Sequence, residues 1–178
     1  MITIRIPKDR VGVVIGPSGT TRRMLYERSQ VKMDVDSDQN EVHIHNEEGA
    51  DTIMVMKLQD IVKAIGRGFS PERASRLFSD DCYFELLDIH DYTGKDVSHV
   101  RRVTSRIVGS EGRTRRIIEE QTGCDLAIYG HTVGIIGELQ SLGHAKTAVD
   151  MILRGAEHAS VYRFLENMRR KSRSAGTW

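Results

Sequence analysis

Val14-Ile15-Gly16-Pro17-Ser18-Gly19-Thr20-Thr21-Arg22-Arg23-Met24-Leu25-Tyr26-Glu27 returns later in the chain as Ile107-Val108-Gly109-Ser110-Glu111-Gly112-Arg113-Thr114-Arg115-Arg116-Ile117-Ile118-Glu119-Glu120, at an offset of 93 residues. Six positions are identical: Gly16/Gly109, Gly19/Gly112, Thr21/Thr114, Arg22/Arg115, Arg23/Arg116 and Glu27/Glu120. The agreement extends outward. Val31-Met33-Val35 and Cys124-Leu126-Ile128 alternate as half-buried strands do, and Val42-x-Ile44 matches Val133-x-Ile135 at an offset of 91. Met54, Leu58, Ile61, Val62 and Ile65 form the apolar stripe of an amphipathic helix. Ala145, Val149, Ile152, Leu153 and Ala156 repeat that stripe, read again at an offset of 91. A shared loop, helix, hairpin and helix make two copies of one domain.

Each copy opens with an alternating strand, Ile2-x-Ile4-x-Ile6 in the first and Tyr83 to Ile89 in the second. A short helix leads into the glycine loop and another leaves it, so the order is β-α-α-β-β-α in an α+β chain. Turns after Asp34 and after Tyr129 make the last two strands of each copy neighbours. The predicted boundaries are 1–66 for the first domain, 67–81 for a linker and 82–178 for the second domain with a helical tail. In the linker, Ser70-Pro71-Glu72-Arg73 reads as a helix start with proline at the first helical position. In the tail, Val161, Phe164, Leu165 and Met168 form a stripe expected to pack on the second domain, the alternative being a helix that docks on a protein partner. The basic run Arg169-Arg170-Lys171-Ser172-Arg173 is expected to be a solvated end.

At 178 residues, with 39% hydrophobic and 29% charged side chains, the composition is that of a globular protein with a real core. Two cysteines exclude a disulfide framework and a four-thiolate zinc site. No apolar run approaches the length of a membrane span and no leader is evident, so a cytoplasmic location is expected. The net charge of +1 names no partner, but its distribution is uneven. Phe69 to Asp96 carries seven acids against three basic residues. Basic residues gather instead in the two glycine segments and the tail, and local clusters are what an anion feels.

Gly-x-x-Gly between two helices makes a turn without side chains, which lets a ligand's backbone approach. The helix that follows aims free N–H groups and its positive dipole end at that space, as phosphate requires. Arg22, Arg23, Arg115 and Arg116 in the first turns oppose the dipole, a cost that an anionic ligand relieves. Four readings meet here. Glycine used only for packing is one. A Walker loop needs Gly-x-x-x-x-Gly-Lys-Ser/Thr, and neither copy has the lysine. A dinucleotide fold needs Gly-x-Gly-x-x-Gly and parallel strands. The fourth is the KH domain, whose Gly-x-x-Gly loop clamps about four nucleotides.

Val14-Ile15-Gly16-Pro17-Ser18-Gly19 and Ile107-Val108-Gly109-Ser110-Glu111-Gly112, each within β-α-α-β-β-α, resemble the signature of type I KH domains. Glu120-Gln121-Thr122-Gly123-Cys124 is also typical of that family, whereas the first copy has Arg28-Ser29-Gln30-Val31 at this helix end. With the joint Ala64-Ile65-Gly66-Arg67-Gly68-Phe69-Ser70-Pro71-Glu72-Arg73-Ala74, nearly the whole chain is similar to the archaeal two-KH-domain proteins of ribosomal RNA processing. The resemblance implies two tandem type I KH domains, each a three-stranded antiparallel sheet with helices packed on one face. It implies a non-enzymatic, cofactor-free factor that binds single-stranded small-subunit rRNA near its 3′ end during ribosome assembly. The partners it implies are the endonuclease that matures that end and the alpha subunit of a translation initiation factor.

Carried onto this chain, the resemblance makes Gly16, Pro17, Ser18 and Gly19, with Gly109, Ser110, Glu111 and Gly112, the backbone clamps. Arg22, Arg23, Arg113, Arg115 and Arg116 supply charge to phosphate and hence a salt-dependent affinity. Val14, Ile15, Leu25, Met33 and Val35, matched by Ile107, Val108, Ile118, Leu126 and Ile128, form the apolar groove or the core beneath it. Many KH loops hold a basic residue between the glycines. Here Glu111 would stand against phosphate, so the second loop is expected to bind more weakly or only together with the first. The alternative function is a protein-interaction scaffold for a processing nuclease or initiation factor, with weak grooves. His43, His45, Cys82 and Cys124 have no ligand spacing, so no metal site is expected from sequence, and no nucleophile comes with an identifiable base.

Overall fold

The computed structural model describes residues 1–176, so the last two positions of the expected second domain lie outside the described residues. The chain divides into two compact units, Met1–Phe84 and a second beginning at Glu85. The first contains β1 (Ile2–Arg5), α1 (Lys8–Ile15), α2 (Thr20–Ser29), β2 (Met33–Asp36), β3 (Glu41–Ile44), α3 (Thr52–Gly66) and α4 (Pro71–Ala74). The strand β4 (Cys82–Asp88) leads into the second unit, which continues through α5 (His90–Thr93), α6 (Val97–Val108), α7 (Arg113–Thr122), β5 (Asp125–Tyr129), β6 (Thr132–Glu138), α8 (Leu139–Leu153) and α9 (His158–Ala175). Each glycine loop, Pro17–Gly19 and Ser110–Gly112, is a tight turn whose middle residue, Ser18 or Glu111, leaves the right-handed helical region.

The sheets are three-stranded, ordered β1-β3-β2 and β4-β6-β5, so the last strand of each copy lies in the middle. All resolved pairings are antiparallel, and the registers repeat: Met33 faces Ile44 and Val35 faces Val42, as Leu126 faces Ile135 and Ile128 faces Val133. One face of each sheet is closed by helices. In the first unit Val14, Leu25, Val42, Ile44, Leu58, Ile61, Val62 and Ile65 are fully buried. In the second, Ile107, Ile118, Leu126, Val133, Ile135, Val149 and Ile152 form the corresponding core. Removal of each such side chain from water contributes on the order of 2 kcal/mol. Both units are type I KH folds.

The long helices correct one detail of the repeat. Leu58, Val62 and Ile65 occupy the places of Ala145, Val149 and Ile152, an offset of 87 and not the 91 that the stripes suggest. Chain reversal after the helix confirms it, with Gly68 at φ 102° and Gly155 at φ 94°, and Phe69 N–H donating to Ala64 as Ala156 N–H donates to Met151. Counted from the matched strand positions Ile44 and Ile135, the chain takes four more residues to reach α3 than to reach α8. Within α3, Met54 is only half-buried and Val55 faces the core.

Helix ends are set by local chemistry. Asp51 caps α3 by accepting from Ile53 N–H at 2.9 Å, and Asp96 caps α6 by accepting from His99 N–H at 3.0 Å. The ends of α2 and α7 use one device despite different sequences. Ser29 and Thr122 each return their hydroxyl to the carbonyl four residues back at 2.7 Å, and the next residue, Gln30 or Gly123, is left-handed at φ 56° or 73°.

The segment expected to join the domains is built into the first unit. Ser70 caps α4 with Pro71 at its first position. Arg10 donates to the carbonyls of Ile65 at 2.8 Å and Phe69 at 2.7 Å, Lys57 donates to that of Phe78 at 2.8 Å, and Arg28 lies over the Phe78 ring at 4.3 Å. The tail stripe packs on the second unit as expected: Val161 and Leu165 enter its core, with Phe164 against them.

Candidate nucleic-acid interface

The two glycine loops have one backbone. Gly16 and Gly109 both lie at φ 75°, Ser18 and Glu111 both at φ 52°, and Gly19 and Gly112 at 75° and 73°. The first glycine of each pair is demanded by space as well as by dihedral. A Cβ on Gly16 would meet the Thr21 amide nitrogen at 2.6 Å, and one on Gly109 would meet that of Thr114 at 2.7 Å. The second glycines have open space around them, so there only the left-handed dihedral matters. No side chain caps α2 or α7 at its N-terminal end. Each loop closes on itself, Gly19 N–H donating to the Gly16 carbonyl at 3.0 Å and Gly112 N–H to that of Gly109 at 3.2 Å, and stands at the positive end of the helix that follows, a place that favours phosphate.

Beside the first loop lies a cleft of about 600 Å³ between the end of α1, the loop, α2 and β2. It brings together Ile15, Ser18, Gly19, Arg22, Arg23, Met33 and Val35 of the residues predicted from sequence, and adds Tyr26, Lys32 and Asp34. Val14 and Leu25 lie beneath it with no exposed surface. Gly16 is partly covered, whereas Pro17 and Ser18 are exposed at the rim. Arg22 and Arg23 are exposed, and no carboxylate pairs with either among the described residues. Tyr26 is 43% exposed and stands one helical turn from Arg22. That spacing on α2 is the signal by which sequence alone could have placed it.

The comparisons with known proteins agree with this geometry. A type I KH domain of eukaryotic type matches residues 83–170, and a KH domain matches residues 1–64. A KH domain-containing protein of Methanocaldococcus jannaschii is 45% identical over 172 residues, covering 97% of this chain and 75% of that protein. The solved a/eIF2alpha–aDim2p–rRNA complex of Pyrococcus horikoshii contains a chain 43% identical, with a TM-score of 0.89, covering 96% of this chain and 94% of that one. The chain belongs to the archaeal two-KH-domain rRNA-processing family. A pre-rRNA-processing protein pno1 of Emericella nidulans is 32% identical over 114 residues, which span 63% of this chain and 44% of the fungal protein.

In this KH chain the second groove differs from the first in charge. Where the first has Tyr26, Lys32 and Asp34, the second has Glu119, Asp125 and Ala127. Glu119 accepts from Leu126 N–H at 2.9 Å, which bridges α7 to β5 across the groove floor. Ile107, Ile118 and Leu126 are core residues, and only Val108 and Ile128 keep partial exposure. Ser110, Glu111, Arg113, Arg115 and Arg116 are exposed around the loop, with Gly112 partly covered and Arg116 donating to the Glu111 carbonyl at 3.3 Å. A feature the sequence did not announce lies under the loop: Thr114 Oγ1 is 2.9 Å from the Tyr162 hydroxyl on α9.

No helix among the described residues is long and apolar enough to cross a membrane.

Proposed function

We propose that this protein binds single-stranded RNA of the small ribosomal subunit near its 3′ end and serves, without catalysis of its own, in pre-rRNA processing and subunit assembly in the cytoplasm. The observation that carries this reading is the pair of glycine loops with one backbone geometry, the first opening on a cleft with two unpaired arginines and a lysine. Backbone of the RNA is held at Gly16–Gly19 and Gly109–Gly112, with Arg22, Arg23, Arg113, Arg115 and Arg116 meeting phosphate. Bases lie over Ile15, Tyr26 and Val35 in the first groove and over Val108 and Ile128 in the second. The domains assigned to these roles are 1–66 and 82–178, with 67–81 between them.

Support comes from the Pyrococcus horikoshii relative, which was solved together with rRNA and a/eIF2alpha. On that basis the alpha subunit of a translation initiation factor is a protein partner here too. The rRNA-maturing endonuclease is a second partner, whose work this protein directs by positioning the RNA.

The test is binding of labelled single-stranded RNA from the rRNA 3′ region, against duplex RNA, across a salt series. Wild type is compared with Pro17→Asp/Ser18→Asp and with Ser110→Asp, each checked for folding. Preference for the single strand, lost in the loop variants, is expected. Equal binding by all, or by none, would transfer the function to protein scaffolding.

A further inference from the structure

Three chemically active side chains of the second unit, distant in sequence and outside both grooves, meet at one end of its sheet. Asp88 ends β4, His90 opens α5, and His131 sits in the β5–β6 turn. Their backbone frame is tied together, because Ile89 N–H donates to the His131 carbonyl at 2.7 Å and His90 N–H donates to Asp88 Oδ1 at 2.9 Å. That carboxylate oxygen lies 2.8 Å from His131 Nδ1 and 3.7 Å from His90 Nδ1. One ligand atom from each of the three falls within 4.8 Å of the others, and all three residues are half-buried.

A hydrogen bond to Asp88 accounts for His131. It does not account for His90, whose Nδ1 is too far from the carboxylate to bond it. The two imidazoles instead stack with centroids 4.1 Å apart and planes 9° from parallel, both turning Nδ1 toward one carboxylate. A tetrahedral zinc ion, with ligand bonds of about 2.0–2.1 Å, sets its donors about 3.3 Å apart. The 2.8 and 3.7 Å separations lie on either side of that value. Partial exposure leaves the rings room to splay around an ion. Two imidazole nitrogens and one carboxylate suit zinc, nickel or copper(II), whereas magnesium and calcium prefer all-oxygen sites.

We propose that Asp88, His90 and His131 bind a divalent transition-metal ion of the zinc type, clipping the end of β4 to the β5–β6 turn. The three protein ligands leave one position for water or an outside donor. The inference stands independently of the RNA-binding reading. The ion ties strand end to turn tip in the folded state, and it stabilises the second domain by mass action.

Zinc titration of the full chain by calorimetry, with the visible spectrum of the cobalt(II) form as a second readout, tests the site. Wild type is compared with His90→Ala, His131→Ala and Asp88→Asn, with His45→Ala as control. His90→Ala is the decisive variant, because no hydrogen bond joins its ring to any of the described residues. One ion per chain is expected, with affinity at least tenfold weaker in His90→Ala and in His131→Ala, unchanged in the control, and a four-coordinate cobalt spectrum lost in both. Absence of saturable binding to wild type, or wild-type affinity in either histidine variant, overturns the proposal.

Discussion

Thr114 and Tyr162 share a hydrogen bond of 2.9 Å between their hydroxyls, which ties the C-terminal helix α9 to the base of the second glycine loop. Thr114 is almost wholly buried, and it is the residue against which Gly109 packs. Tyr162→Phe leaves that hydroxyl without its partner and is expected to lower stability by about 1 kcal/mol, read by urea denaturation. Thr114→Val with Tyr162→Phe should cost less than the sum of the single changes, which a double-mutant cycle measures.

The two glycines of each loop carry different demands. Gly16→Ala has to overcome both a positive φ and the Thr21 amide, whereas Gly19→Ala meets open space. The second change should cost about 1–2 kcal/mol for the left-handed dihedral alone. The first should cost clearly more, as thermal unfolding of the two variants will register. Gly109→Ala and Gly112→Ala should rank in the same way.

Gln30 stands in the left-handed conformation that Gly123 holds in the other copy. Gln30→Gly removes that strain but also its side-chain bond to the Glu27 carbonyl, 2.8 Å, and it loosens the unfolded chain. A net stabilisation of about 0.5 kcal/mol is expected, and Gly123→Gln should destabilise. A shift of the denaturation midpoint in the opposite sense for Gln30→Gly would show that the amide bond outweighs the strain.

Charge around the loops predicts a salt signature. Arg22→Ala and Arg23→Ala should each flatten the plot of log affinity against log salt by about 0.7 for single-stranded RNA. Glu111→Lys should raise affinity at low salt and steepen the same plot. An unchanged low-salt affinity would show that Glu111 does not face phosphate.

Acid should loosen the start of α6. The N–H of His99, with the Ser98 hydroxyl beside it, holds the Asp96 carboxyl below the usual carboxylate range. A carboxyl depressed in the folded state contributes stability that is complete above its ordinary value and fades as pH falls through the folded one. Stability should therefore decline below about pH 4, and Asp96→Asn should flatten that decline in acid-unfolding curves. Asp60 has the reverse sign: burial raises it, with Lys63 pulling the other way. Asp60→Asn is expected to raise the melting temperature at neutral pH, where the ionised form is held at a cost.

Glycine spacing, strand alternation and the repeat were enough to recognise two KH domains and their loops, because each is written in short-range pattern, whereas the tail stripe left α9 open between its own domain and a partner until packing placed Val161 and Leu165 in the core. Local pattern also predicted the α4 start at Ser70-Pro71. The register of the long helices escaped it. An apolar stripe of period 3.6 nearly coincides with itself after four residues, so 91 and 87 fit the sequence equally well, and only packing on the sheet separates them. Within the grooves, the predicted residues divided by depth: Leu25 and Ile118 are core, whereas Ile15 and Ile128 reach the surface. A strand's alternation tells which face a residue takes, but not how far a neighbouring helix covers it.

The sequence by itself determined the two-domain architecture and the chemistry of the loops, since turns and amphipathic faces depend on residues a few positions apart. Tertiary structure decided the rest: Tyr26 and Lys32 gathered into the first cleft, Glu119 reaching across the second to Leu126, and Asp88, with His90 beside it, meeting His131 from 43 positions away. Such contacts depend on how strands and helices stack, a sum of many weak packing terms that no local stretch of sequence contains.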